Sequence, residues 1–248
     1  MGNNKLIHKG VDDMWNNNLE KLNFEMEEIR IFDSFCGIGA LHQALKELGV
    51  PIRLVGVSEI DIDAIISYAA VHIDNFKDLA FEYPSVEEMK ELLQSRNIGY
   101  DFKTKKSKIT RMKIDKLKLV YKATILLNNL GDISTINAQE IPDFDIFNMS
   151  FPCQAFSTAG KRMGINDFRG TLGFTSIDIL NVKKPKYFLI ENVPGLISID
   201  NGNTLKNMLR LCCDSGYKIA TNTLNSKEFG IPQNRNRLFI LGVLRNGL

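Results

Sequence analysis

The stretch Ile29–Gly49, "IRIFDSFCGIGALHQALKELG", decides the fold. Its opening "IRIFDSF" is a short apolar run that reads as a strand, "CGIG" supplies a tight turn, and "ALHQALKELG" reads as a helix stopped by Gly49. "IRLVGVSEID" (52–61) follows as a second strand ending in acidic residues, and "DAIISYAAVH" (63–72) as a second helix. Strand, turn, helix, strand is a βαβ unit with acidic groups at the end of its second strand.

Outward from this unit the alternation repeats. "FDIFNMSF" (144–151) and "KYFLIENV" (186–193) read as strands, "TSIDILNVKK" (175–184) and "GNTLKNMLRLCCDSG" (202–216) as helices. "YKIATNTLNS" (217–226) and "NRLFILGVL" (236–244) read as a closing pair of strands. The expected class is α/β, a mostly parallel sheet with helices on both faces, in which ligands gather at the carboxyl ends of strands. Trp15, Leu19, Leu22, Met26 and Ile29 stand at helical spacing, which predicts a helix over 11–28 within an N-terminal extension, residues 1–30. Residues 75–130 break the alternation. Within them Lys103–Lys122 carries nine basic residues against one acid, Asp115, so this segment either tracks a phosphate backbone or forms a solvated helical face.

Composition sets the outer bounds. The 248 residues are 44% hydrophobic and 24% charged, enough for one sizeable core, and the formal charge of +2 does not by itself call for a polyanionic partner. Cys36, Cys153, Cys212 and Cys213 form no C-x-x-C pair, and with too few histidines nearby no metal site is expected. Cys212 and Cys213 read as buried structural thiols. The N-terminus lacks the apolar core of a signal peptide, and no run approaches about 18 apolar residues, so the expectation is an intracellular, cytoplasmic protein that does not span a membrane.

The residues with chemistry stand at strand exits. Gly37 and Gly39 permit a tight turn and a close approach of the next helix to a ligand, but His42 occupies the last glycine position of G-x-G-x-x-G, which disfavours a pyrophosphate. Glu59 is placed like the acid that holds ribose hydroxyls, so an adenosine-bearing ligand without a pyrophosphate fits. Asp132, in "GDI" (131–133), suits an exocyclic amine, and equally a turn or cap. Cys153 follows Pro152 at the end of an apolar strand and precedes a polar loop with Gln154 and Ser157, which turns a thiol toward a cleft. Glu191 and Asn192 end another apolar strand, where desolvation would raise a carboxyl's pKa and make it a proton donor. Arg235 and Arg237 lie two apart, on one side of an extended segment.

Taken in order, "FDSFCGIGA", Glu59, "GDI", "FPCQAFS", "RGTLGF" (169–174), "ENV" and "QNRNR" resemble the motifs of the cytosine-carbon-5 DNA methyltransferase family, from about Ile31 to Val243. The resemblance implies a Rossmann-like, S-adenosylmethionine-dependent methyltransferase fold over 31–248, with Cys153, Glu191, Arg235 and Arg237 catalytic. It implies donor binding by Phe35, Cys36, Gly37, Ile38, Gly39, Glu59, Ile60, Asp132, Ile133 and Pro152, and support of the cysteine loop by Gln154, Ser157 and Asn192. S-adenosyl-L-methionine is then the cofactor, double-stranded DNA the partner, and a bacterial or phage restriction-modification system the setting.

Two departures stand out. Ser150 occupies the place of the family's usual glycine, and no target-recognition domain or final pair of motifs follows "QNRNR". Three readings are open: the catalytic part of a split enzyme whose second subunit carries target recognition, a truncated enzyme, or a single-chain RNA cytosine-5 methyltransferase. A noncatalytic donor-binding or partner-binding module is the alternative from another class; intact Cys153, Glu191 and Arg235 speak against it.

Overall fold

The computed structural model describes residues 27–152 and 168–245, with the backbone alone for 168–171. All but the end of the expected 11–28 helix lies outside them. The first strand, β1 (Ile29–Ser34), begins inside the span assigned to the extension. It pairs in parallel with β2 (Ile52–Ser58) and β5 (Ile146–Met149), and β5 pairs in parallel with β6 (Tyr187–Asn192). β8 (Asn236–Leu244) runs antiparallel between β6 and β7 (Tyr217–Asn225), giving the order β2-β1-β5-β6-β8-β7. The mostly parallel α/β sheet expected from the alternation is present.

Strand periodicity sorts the side chains. Phe32, Phe147 and Phe188 are paired neighbours on one face, and all three are fully buried. Helices α5 (Phe168–Lys183) and α6 (Asn203–Asp214) add Leu180, Met208 and Cys212 to the same core. Each buried apolar side chain of this size contributes about 1.5–3 kcal/mol. Gly242 pairs with Phe188, and a Cβ there would lie 1.9 Å from the ring, so only glycine fits. On the opposite face, Leu189 and Tyr187 of β6 and Phe239 and Val243 of β8 stay half-buried, and Leu241 is 45% exposed.

The segment that broke the alternation is a helical layer on the first βαβ unit. Helices α1 (Ala40–Glu47) and α2 (Ile62–His72) follow β1 and β2, and α3 (Val86–Ser95) and α4 (Ile114–Leu126) come from the insertion. Ile65, Tyr68, Leu93, Leu117 and Val120 from α2, α3 and α4 form one buried cluster with Val57. Sequence starts α3 at a capping box: Glu88 N donates to Ser85 Oγ at 3.2 Å, and Ser85 N to Glu88 Oε2 at 2.9 Å. Between α3 and α4 a hairpin of two short strands, β3 (Tyr100–Asp101) and β4 (Lys106–Ser107), carries the first lysines of the basic run.

That run is therefore not a single solvated helical face. Lys122 is buried, its ammonium donating to Leu79 O at 2.5 Å; Lys118 stands 5.3 Å from the Tyr83 ring; Lys116 pairs with Asp63. α5 also departs from expectation, beginning at Phe168 rather than Thr175 and taking much of "RGTLGF" into the helix. At Gly173 a Cβ would meet Met208 Cε at 3.0 Å and Phe151 Cζ at 3.2 Å, so close packing explains a glycine inside this helix.

Candidate active site

The carboxyl ends of β1 and β2 meet the loop after α4. Phe35, just past β1, holds a left-handed φ of 53°, a conformation that costs a bulky residue about 1–2 kcal/mol and concentrates at functional sites. Its N–H donates to Ser58 O at 2.7 Å. Glu59 gathers three backbone donors: Ile60 N at 2.8 Å and Asp61 N at 2.9 Å on Oε1, and Gly37 N at 3.0 Å on Oε2. Asp132 accepts from Ser134 N at 3.0 Å and from Asn97 Nδ2 at 3.0 Å, so it caps a short turn while its carboxylate stays oriented.

Asn129, which sequence reasoning missed, clamps these loops together. Its fully buried amide accepts from Glu59 N at 3.1 Å and Gly131 N at 3.0 Å and donates to Glu59 O at 3.0 Å. Ser58 Oγ adds a bond to Gly131 O at 2.6 Å. The only sequence signal was an asparagine two residues before the turn glycine Gly131, in the loop that follows α4.

A cleft of ≈ 740 Å³ opens at these strand ends. Phe35, Glu59, Ile60, Asp132, Ile133 and Pro152 line it, as do Ser150 and Leu172. Gly37, Ile38 and Gly39 do not line it, and Cys36 is buried in the cluster around Tyr68, where burial pushes its thiol pKa well up. Cys36 is thus an apolar packing residue rather than a side chain of the cleft. Gly39 has φ +83°, and a Cβ there would lie 2.6 Å from His72 Nε2, which donates to Ile38 O at 3.1 Å. A second hollow, around Glu28, Arg30 and Asp145, lies at the amino ends of the parallel strands, away from where α/β sheets bind ligands.

Cys153, Gln154 and Ser157 lie outside the described residues; the groups leading to them lie within. Asn192 is buried, and its Nδ2 donates to Phe151 O at 3.0 Å. Ser150 Oγ donates to Asn148 Oδ1 at 2.7 Å and accepts from Glu191 N at 3.1 Å, and Asn148 Nδ2 donates to Asp33 Oδ1 at 2.6 Å. A hydrogen-bonded chain thus runs from β1 through β5 to Glu191, and Ser150 is one of its links. Burial pushes Asp33 up to about 7 against the opposing hydrogen bond from Asn148, with the charge of Glu59 adding to the rise.

Glu191, where a partly desolvated carboxyl was expected, is half-buried. Its side chain is 34% exposed and pairs with Arg237 Nε at 2.7 Å, with Arg235 Nη2 at 3.8 Å. Antiparallel pairing of β8 with β6 brings the arginines there, so the acid is held by cations rather than by apolar walls.

Residues 97–247 match the family described as C-5 cytosine-specific DNA methylase. The type II methyltransferase M2.ScrFI of Lactococcus lactis subsp. cremoris is 36% identical over 220 residues, 87% of this chain and 61% of that protein. The orphan methyltransferase M.Rho11sI of Bacillus phage rho11s is 38% identical over 218 residues, 88% of this chain and 33% of that protein. The chain therefore spans less than two thirds of either relative. Among solved structures, the Dnmt2 methyltransferase of S. pombe has a TM-score of 0.56 at 23% identity, covering 88% of this chain and 51% of that one, a likeness of fold. With more than half of its length matched, this chain belongs to the C-5 cytosine-specific DNA methylase family.

Proposed function

We propose that this chain transfers a methyl group from S-adenosyl-L-methionine to carbon 5 of a cytosine in double-stranded DNA, in a restriction-modification or phage setting. One observation carries the reading: a single cleft joins the loops of Glu59 and Asp132 to Ser150 and Pro152, the residues that lead into Cys153. Its volume lies in the range of small-molecule sites. An adenosyl group suits it, with the Glu59 carboxylate for ribose hydroxyls, Asp132 for the exocyclic amine, and Phe35, Ile60 and Ile133 as apolar surface. The bound donor supplies an electrophilic methyl group.

The protein's task is to make carbon 5 nucleophilic. The Cys153 thiolate adds to carbon 6 of the cytosine, and the resulting enamine places electron density on carbon 5. Glu191 holds or protonates ring nitrogen 3, and Arg235 binds oxygen 2 as charge develops. Arg237 orients Glu191 through the 2.7 Å pair, which makes it a positioning residue. Asn192, through Phe151 O, fixes the backbone that enters the cysteine loop. Loss of the carbon-5 proton and expulsion of the thiolate restore the ring. Carbon 6 is covered in a stacked duplex, so the base must leave the helix, and closing over it is the role proposed for Gln154 and Ser157.

Cys153→Ala tests the assignment. Methyl incorporation into duplex DNA should vanish while calorimetric affinity for S-adenosylhomocysteine is retained; retained methylation would remove Cys153 from the mechanism.

A further inference from the structure

The insertion reaches the proposed donor site itself. Tyr100, Phe102, Lys103 and Lys108 from the hairpin line the same cleft as Glu59 and Asp132. The hairpin's root is bonded to both donor loops: Gly99 N donates to Ile60 O at 2.8 Å, Asp132 N to Arg96 O at 3.0 Å, and Arg96 Nη1 to Asn129 O at 2.6 Å. Asn97 completes the junction on the Asp132 carboxylate. Space is tight there. A Cβ on Gly99 would sit 2.5 Å from Ile62 Cδ1, and one on Gly131 would sit 2.1 Å from Arg96 O. The root therefore has little freedom, and whatever the hairpin presents to the cleft is presented in a fixed place. It presents an aromatic pair, Tyr100 and Phe102, with ring centroids 5.0 Å apart and planes at 81°.

We propose that the β3–β4 hairpin is a wall of the donor pocket in which Tyr100 and Phe102 cover the adenine ring. This rests on the reading of the cleft as an S-adenosyl site. An adenine at the Ile60 and Asp132 loops lies beside the hairpin root, and a purine face on an aromatic side chain gains stacking that an aliphatic wall does not supply. The motifs shared with the family place no residue here, so the hairpin makes residues 96–108 determinants of adenine recognition.

The test uses the full chain and S-adenosylhomocysteine. Phe102 is 37% exposed and packs edge-to-face on Tyr100, so its replacement should lower the thermal midpoint by only a few degrees and leave the chain folded. Phe102→Ala should weaken binding about tenfold, Phe102→Leu should not restore it, and Phe102→Trp should restore it. The introduced indole should also lose fluorescence as ligand is added, because adenine stacks on it. Tight binding by wild type, with Phe102→Ala and Tyr100→Leu equally tight and an unchanged indole signal, would overturn the inference and leave the donor site standing. A folded wild-type chain that binds no S-adenosylhomocysteine would overturn both.

Discussion

Asp33 and Asn129 show how much of the site is held by buried polar residues that touch no substrate. The Asp33 carboxyl, pushed up to about 7 in the fold from an ordinary 3.8, stays neutral where the unfolded chain is ionised. Its stabilising contribution is complete below the unfolded value and is lost as pH rises through the folded one. Asp33→Asn keeps an acceptor for Asn148 and removes the charge. It should be near neutral at about pH 4 and stabilise by ~2–4 kcal/mol at about pH 8. Urea denaturation across that interval checks this, and a gain that does not grow with pH contradicts it. Asn129→Ala strands the three backbone groups it now satisfies, at a cost of ~2–4 kcal/mol. Donor affinity should fall in the same variant, because the Glu59 and Asp132 loops lose their common clamp.

Among the elements, the two faces of β8 make contrasting predictions. Ile240 is 1% exposed, so Ile240→Ala should cost about 3 kcal/mol by cavity formation. Leu241→Ala should cost less than about 1 kcal/mol, because its side chain is 45% exposed among the described residues. Equal losses in chemical denaturation would mean that the exposed face is covered in solution. The same strands show what was legible in sequence. β1, β2, β5 and β6 could be read because apolar runs end in glycine, acid or proline, and the donor motifs fall at those ends. The start of α5 was hidden because Gly170 and Gly173 each penalise a helix by about 1 kcal/mol, a cost that packing of Gly173 against Phe151 and Met208 offsets. β3 and β4 are two residues each, too short for any periodicity, and Asn129 acquires its role only when β2 and the loop after α4 are brought together.

For the molecule as a whole, charge placement matters more than the net value of +2. Of the nine basic residues in the run, Lys122 is buried, Lys116 is ion-paired and Lys118 is ring-bound, while Lys103, Lys105, Lys106, Lys108, Arg111 and Lys113 are exposed, Lys105 and Lys106 at the hairpin. Replacing Lys105 and Lys106 by Gln should reduce the slope of log affinity for duplex DNA against log salt by about 2; an unchanged slope would exclude them from phosphate contact. The central claim is covalent attack on a flipped cytosine by these residues together. Incubation with S-adenosylmethionine and mixed-sequence duplex DNA carrying 5-fluorocytosine tests it, because fluorine cannot leave as a proton does and the adduct persists on a denaturing gel. A shifted band that requires the donor and disappears in Cys153→Ala is the predicted result. Absence of that band in a folded chain that binds both donor and DNA would contradict the account.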